Sequence, residues 1–137
     1  MERTLTIVKP DAVSSGKTGA ILEQLEREGF RILALRKVRL SPEQARAFYA
    51  VHRERPFYSA LVEFMTEGPV VAAALERDDA VAHLRRVMGA TDSREAAAGT
   101  IRNLFGADIE RNAIHGSDSS ENAGREIAFF FGEAEMI

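Results

Sequence analysis

The stretch "PVVAAALERDDAVAHLRRVMG", residues 69–89, changes its hydrophobic pattern part-way along. Residues 69–76 form an almost unbroken apolar run, which predicts a β-strand. Residues 77–89 carry acids at the start and basic residues near the end, as the helix dipole favours, and Gly89 is a natural stop. The stretch therefore predicts a strand that leads directly into a helix.

The N-terminal part of the chain shows the same succession. Residues 4–10, "TLTIVKP", are rich in β-branched side chains and predict a buried strand that runs into a turn at Pro10. Apolar residues at helical spacing then predict a helix over residues 18–30. Residues 31–40 predict a second strand with one solvated edge or face.

The remaining segments complete two similar halves. They predict helices over 41–53 and 56–68, a long connection over 90–112 with a helical turn around 99–105, a strand over 113–116 and a helix over 119–131. Two strand–helix–strand halves predict an α+β fold with ferredoxin-like βαββαβ order. We expect a four-stranded antiparallel sheet covered by helices on one side, and a single domain spanning residues 1–137.

Composition and charge exclude several classes of function. The chain has no cysteine and its histidines are far apart in sequence, so disulfides, thiolate metal sites and a zinc cluster are not expected. A bound metal is expected to be a hard ion held by oxygens. The net charge of -3 argues against a dedicated nucleic-acid surface. No apolar run reaches the roughly 20 residues of a membrane span, and the N-terminus lacks a signal-peptide pattern, so we expect a cytoplasmic location.

Two lysines near the first predicted strand are candidates for phosphate binding. Residues 11–18, "DAVSSGKT", follow a strand and precede a helix, as a P-loop does, but Asp11 stands where that motif requires its first glycine. We therefore interpret Gly16 to Gly19, which include Lys17, as the loop that enters a helix. Lys9 lies within an otherwise apolar strand, so it either extends to solvent or faces an anion at the strand's end.

His115 lies in specialised surroundings, within "RNAIHGSDSS", residues 111–120. Gly116 leaves space beside the ring, and Ser117 and Asp118 offer oxygens that could fix its tautomer, which would leave one ring nitrogen free to attack. Glu126 could accept the ring N–H or be a solvated helix residue. From the residues alone, His115 is equally open to a structural and a catalytic role.

Other charged side chains carry weaker signals. His52 and His83 lie within predicted amphipathic helices beside arginines and are interpreted as ordinary surface or boundary residues. Arg85 and Arg102 flank the long connection together with Thr91. A guanidinium suits phosphate oxygens, but each arginine taken alone favours a surface ion pair.

Taken together, these segments resemble a known family. "NAIHGSDS", residues 112–119, is similar to the active-site signature N-x-x-H-G-S-D-S of the nucleoside diphosphate kinases. The similarity extends, in the family's order and spacing, through "TLTIVKPDAV", "ERPFYSALVEFMTEGPVVAAALE", "MGATDSREAAAGTIRNLFG" and "SSENAGREIAFFF".

The resemblance implies a ping-pong phosphoryl transfer. His115 would take the γ-phosphate from a nucleoside triphosphate such as ATP and pass it to a diphosphate such as GDP, with little discrimination between bases. Mg²⁺ would bridge the phosphate oxygens and travel with the nucleotide, with Asp118 helping through water. The family's assemblies imply a homo-oligomer, a hexamer or tetramer built from dimers.

The resemblance also implies roles for individual residues, carried over at matching positions. Phosphate groups would be bound by Lys9, Arg85, Thr91 and Arg102, the ribose by Lys9 and Asn112, and the base by Phe57, which stacks on it, and Leu61. Tyr49, Ser117 and Glu126 would lie near the histidine, and Ser117 and Glu126 would hold its orientation.

Three departures and two rival functions accompany this interpretation. Ser93 and Ala98 replace prolines common in the family's long loop, which predicts a less rigid loop and bears on assembly and stability. Glu110 replaces a small residue of many relatives.

An RNA-binding ferredoxin-like domain would show aromatic residues on its strands and basic charge, unlike this chain. A histidine phosphocarrier or phosphohistidine hydrolase would not need Phe57 or Asn112.

Overall fold

Four strands and seven helices alternate along the computed structural model, which describes residues 1–137. The strands are Glu2–Val8 (β1), Arg31–Val38 (β2), Val70–Arg77 (β3) and Ile114–Gly116 (β4). The helices are Pro10–Ser14 (α1), Thr18–Arg27 (α2), Pro42–Phe48 (α3), Tyr58–Met65 (α4), Ala80–Met88 (α5), Ile101–Phe105 (α6) and Ser120–Phe130 (α7). Short 3-10 turns occupy Ala50–His52, Ser93–Glu95 and Glu133–Glu135. No helix has the length and apolar character that crossing a membrane requires.

The sheet has the order β2-β3-β1-β4, and every neighbouring pair is antiparallel. With α2 and α5 as the connecting helices, this topology confirms the predicted α+β, ferredoxin-like βαββαβ fold. The central strand β1 pairs with β3 along its whole length and with β4 over three residues, where Ile7 lies opposite His115. The histidine is thereby fixed on the edge strand β4 by its pairing with the inner strand β1.

Helices cover both faces of the sheet, so the expectation that they pack on one side is wrong. On one face, Ala72 of β3 belongs to the same apolar cluster as Ile127 of α7. On the other, the next residue, Ala73, packs in a cluster with Leu25 of α2 and Leu84 of α5. Successive strand side chains point to opposite faces, so an unbroken apolar strand needs cover on both.

The short helix α1 was not predicted. Pro10 is the first residue of this helix and does not end the strand in a simple turn, because its fixed φ and missing N–H suit a helix start. The helical turn expected around residues 99–105 is confirmed as α6, which Thr100 caps by accepting the N–H of Asn103. The predicted helix over 41–53 begins with the capping box of Ser41 and Gln44, and its regular part ends at Phe48.

Candidate functional site

A cavity of about 340 Å³ lies beside the C-terminal end of β1. Residues from the end of β1, the turn after α3, helix α4, the 90–112 connection with α6, and β4 meet there. Its lining includes the predicted site residues Lys9, Tyr49, Phe57, Leu61, Thr91, Arg102, Asn112 and His115, and also His52, Ile109 and Glu110, which were not predicted. A larger and more open groove of about 700 Å³, between the start of β1 and α7, contains none of these side chains.

The ring of His115 is oriented through one nitrogen. Its Nε2 lies 2.8 Å from Oε1 of Glu126. A carboxylate only accepts hydrogen bonds, so the hydrogen belongs to Nε2 and the lone pair to Nδ1. The rings of Phe48 and Tyr49 lie edge-on to the imidazole, with centroids 5.5 and 6.0 Å away. Packing and the hydrogen bond together fix both the ring plane and its tautomer.

Glu126 reaches the histidine from α7, eleven positions further along the chain, because α7 packs on β1. Its Oε1 also accepts the hydroxyl of the fully buried Ser117 at 2.8 Å. Burial raises the pKa of Glu126, but the hydrogen bond and charge of His115 and the Ser117 hydroxyl outweigh it, so the pKa lies below its ordinary value. The carboxylate is therefore ionised and able to hold the Nε2–H.

Lys9 is buried and faces the cavity. Its Nζ donates to Oδ1 of Asn112 at 2.8 Å. Burial and the charge of Arg102 lower the pKa of Lys9 to about 8, although the charges of Asp11 and Glu110 act in the opposite direction. An ammonium has three donors, and Asn112 takes one, so the others are available to an anion or hydroxyl.

Asn112 connects three parts of the site. While its Oδ1 accepts from Lys9, its Nδ2 donates to the carbonyls of Thr91 and Ile109 at 3.0 and 3.2 Å. These bonds join the end of β1 to the long connection between α5 and β4. The amide side chain is thus held in one orientation at the cavity wall.

Arg102 is buried without a carboxylate partner, which excludes the surface ion pair left open by the sequence. Its guanidinium donates to the carbonyls of Gly89 and Ile114 at 3.1 and 2.9 Å, while its Nε has no partner. Burial and the charge of Arg85 lower the pKa of Arg102 to about 10. Arg85 lies just outside the cavity, in an adjoining cleft that shares Thr91. Two nearby guanidiniums favour a bound anion.

The mouth of the cavity is apolar and partly open. Phe57 is 49% exposed and Ile109 is 59% exposed. His52 is partly buried, as a boundary residue would be, but α3 ends before it and a 3-10 turn directs it into the cavity, with its ring centroid 5.4 Å from that of Phe57. His83 lies elsewhere, with Nε2 2.9 Å from Glu28. Only the chain turn after α3 distinguishes the two, and the sequence carries no clear signal of it.

Gly116 has a different task from the one expected. A Cβ at this position would come within 2.8 Å of the sulfur of Met88 and 2.9 Å of Leu84. Glycine is therefore needed for α5 to pack closely on β4. This close packing sets the position of α5, the helix that carries Arg85.

Two further predicted residues are Asp118, which lies outside the cavity, and Tyr49, which lines it. Asp118 is exposed and outside the cavity lining, and the Asn122 amide, which donates at 2.6 Å, lowers the pKa of its carboxyl. The Tyr49 hydroxyl is buried without a partner, and burial, followed by the charge of Glu126, raises its pKa. It therefore keeps its proton and remains a free donor.

Comparison with known proteins identifies the family. The family model described as "Nucleoside diphosphate kinase" matches residues 2–136. The chain belongs to the nucleoside diphosphate kinase family. A nucleoside diphosphate kinase of Acidiphilium cryptum is 56% identical over 136 residues, covering 99% of this chain and 97% of the relative. The resemblance carried by residues 112–119 and the flanking segments is thus confirmed.

Solved nucleoside diphosphate kinases have the same fold. The enzyme of Aquifex aeolicus superposes with a TM-score of 0.98 at 54% identity, covering 99% of both chains. The halophilic enzyme of Halobacterium salinarum, whose structure is a complex with CDP, superposes with a TM-score of 0.94 at 43% identity, covering 99% of this chain and 91% of that one.

Proposed function

We propose that this chain, as one domain over residues 1–137, transfers the γ-phosphate of a nucleoside triphosphate to a nucleoside diphosphate through a phosphohistidine on His115. The observation that carries the proposal is the 2.8 Å contact of Nε2 with Glu126, which leaves the Nδ1 lone pair free in a cavity lined by Lys9 and Arg102. Family membership supports the same reaction.

The reaction proceeds in two steps. In the first, the Nδ1 lone pair of His115 forms a bond to the γ-phosphorus, the bond to the bridging oxygen breaks, and the nucleoside diphosphate leaves with that electron pair. The imidazole gains positive charge, which the carboxylate of Glu126 stabilises at Nε2–H. In the second, a terminal phosphate oxygen of another diphosphate attacks the phosphorus and the N–P bond breaks. Both steps require positioning and charge neutralisation.

The cationic side of the cavity suits the phosphates. Lys9 has free donors, and Arg102 and Arg85 supply positive charge on adjoining walls. Thr91 lies where the two spaces meet. The free Tyr49 hydroxyl adds a neutral donor near His115. We assign phosphate binding to these groups. The ring of His52 also lines this cavity.

The open, apolar mouth suits the base, with Lys9 and Asn112 placed for the ribose hydroxyls. Phe57 offers an exposed ring for stacking, and Leu61 and Ile109 complete the apolar surface. Stacking tolerates every base because each has a π-face, so broad specificity is expected. The CDP complex of the Halobacterium salinarum relative supports nucleotide binding.

Mg²⁺ would enter this site bound to the nucleotide. No group of three or more His, Cys, Asp or Glu side chains is arranged to hold a metal. The exposed Asp118, whose lowered pKa keeps it ionised, would hold the ion through water. Bound to the phosphate oxygens, the ion supplies neutralisation of charge.

The proposal also covers the oligomeric state and the cellular location of the protein. Strand β2 is an edge of the sheet, and its Leu35 is 51% exposed, so it offers a surface for association into dimers. We propose a homo-oligomer, hexameric or tetrameric, in the cytoplasm. Ser93 is the buried residue of a 3-10 turn in the long loop, and with Ala98 it is expected to make that loop less rigid than prolines would.

A labelled-phosphate chase tests the function. The protein is incubated with γ-labelled ATP and Mg²⁺ and then mixed with GDP. We expect an acid-labile phosphoenzyme, followed by movement of the label to GTP. A protein that forms no phosphoenzyme is not this kinase, and label released to water would identify a phosphohistidine hydrolase.

The pKa of Lys9 predicts an alkaline limb in the pH profile. Because the charged form binds phosphate and the pKa is about 8, Lys9 itself should cause no fall in kcat/KM below that pH. Above it, kcat/KM should fall about tenfold per pH unit. Steady-state rates across this range measure the effect. Lys9→Met should have lower kcat/KM but lack the limb, and a limb that persists in this variant would assign it to another group.

A further inference from the structure

Asp11 is a partly buried carboxylate beside the cavity that no step of the proposed reaction uses. It is the second residue of α1, two positions after Lys9. Its Oδ2 accepts the N–H of Ala113 at 3.1 Å, while its Oδ1 is buried and has no hydrogen-bond partner. Burial raises the pKa of this carboxyl. The carboxylate is thus held in an environment that does not favour its charge, next to the residues that would bind nucleotide.

Ala113, which donates its N–H to this carboxylate, has an unusual backbone conformation. Ala113 is buried and has a φ of 74°, the left-handed conformation that a Cβ disfavours. It lies between Asn112 and strand β4, which carries His115. Any other conformation at this residue would redirect Asn112 relative to the histidine.

Both backbone groups of Ala113 are bound by the segment 9–11. Asp11 accepts its N–H, and the N–H of Lys9 donates to its carbonyl at 2.9 Å. The side chain of Lys9 meets Asn112 alongside. Three hydrogen bonds thus join the end of β1 and the start of α1 to the turn that precedes β4.

We infer that Asp11 is a positioning residue whose carboxylate holds Ala113 in its left-handed conformation, and thereby places Asn112 and Lys9 to bind the nucleotide. This inference rests on the proposed function of the same cavity. The Oδ2 bond supplies a fixed acceptor for an N–H that would otherwise be buried and unpaired, which opposes relaxation of the backbone.

The charge of Asp11 acts on Lys9 as well. The charged groups that face Lys9 are Arg102 on α6, Asp11 on α1 and Glu110 on the connection before β4. The two carboxylates favour the protonated amine, whereas Arg102 and burial oppose it. Removing the charge at position 11 should therefore move the alkaline limb of kcat/KM to lower pH.

Two substitutions of Asp11 separate its hydrogen bond from its charge. Asp11→Ala removes both, and we expect KM for GDP to rise about tenfold, while kcat falls less than about threefold because the pairing of β4 with β1 and the Glu126 contact still hold His115. Asp11→Asn keeps a carbonyl acceptor, so at about pH 6.5 its KM should stay within about twofold of wild type. Its alkaline limb should lie at lower pH.

A second substitution tests the backbone directly. Glycine adopts positive φ without a steric penalty, so Ala113→Gly in the Asp11→Ala background should recover at least about threefold in KM. The matched control is Glu2→Ala, which also removes a carboxylate bound to a backbone N–H, that of Val81 at 2.8 Å, but far from the cavity. This control is expected to leave KM unchanged.

The outcomes distinguish this inference from the function on which it rests. If wild type forms no phosphoenzyme, the proposed function fails. If wild type reacts normally, an unchanged KM in Asp11→Ala overturns the positioning role alone. A fall in kcat as large as the rise in KM also overturns it, if Asp11→Asn shows the same fall and Ala113→Gly does not reverse it. Should Asp11→Ala not fold, the Asp11→Asn variant decides: a KM for GDP that rises about tenfold at about pH 6.5, although the acceptor is kept, overturns the inference. An unshifted alkaline limb in this variant overturns only the effect of the Asp11 charge on Lys9.

Discussion

Replacing His115 with alanine is expected to lower phosphoryl transfer by at least about 10⁴-fold, because no other imidazole at the cavity is held by a carboxylate that leaves one ring nitrogen with a free lone pair. His52 also lines the cavity, but it lies on the side of Phe57 and lacks a carboxylate partner that fixes its tautomer. The effect is measured as kcat/KM for transfer from ATP to GDP and as phosphoenzyme formed with γ-labelled ATP.

The same substitution should leave nucleotide binding and folding nearly intact. Lys9, Asn112 and Arg102 do not hydrogen-bond to the imidazole, so equilibrium binding of ADP should change little. His83→Ala is the matched control, since this histidine also bonds to a glutamate, Glu28, but lies away from the cavity, and full activity is expected. Normal turnover by the His115→Ala protein would remove this residue from the role of nucleophile.

Replacing Glu126 with glutamine is expected to lower kcat by about 10²- to 10⁴-fold with little change in KM. An amide can donate to Nε2 of the ring, which moves the hydrogen to Nδ1 and removes the attacking lone pair. It also lacks the negative charge that stabilises the imidazole as it becomes positive. The side chain is 8% exposed, so solvent does not replace that charge readily.

The control for this prediction lies on the same helix. Glu121→Gln changes an exposed carboxylate in the first turn of α7 and should retain wild-type kcat. The measurement is kcat at saturating ATP and GDP, together with the extent of His115 phosphorylation in a single turnover. A Glu126→Gln enzyme with wild-type kcat would show that the Nε2–H contact does not set the reactive tautomer.

Much of the fold could be predicted from local pattern. The period change at residues 69–89, the apolar strand at 4–10 and the capping box at Ser41 are local signals, and the structure contains the corresponding elements. The cover on both faces of the sheet does not follow from the order of the segments, because it depends on the two apolar faces of β3. The helix α1 was missed because a proline ends one element and begins another with equal ease.

Local sequence pattern predicts less of the candidate site than of the fold. Lys9 and Arg102, taken one at a time, were compatible with exposed positions, and only the family resemblance joined them to His115. In the structure both are buried, and bonds from each to the segment 112–114 show why they share one place. His52 and Asp11 had no signal in their neighbours, since their positions depend on a turn after α3 and on the left-handed backbone of Ala113.

The sequence by itself determined the order of strands and helices and, through "NAIHGSDS", the family to which the chain belongs. Both follow from side-chain periodicity and local motifs, which act over a few residues. Only the tertiary structure decided which nitrogen of His115 is free, that Lys9 is buried beside Arg102, and that Asp11 supports the turn before β4. These features depend on contacts between residues 11 to 103 positions apart, and such contacts exist only after the sheet and its two helical layers have packed.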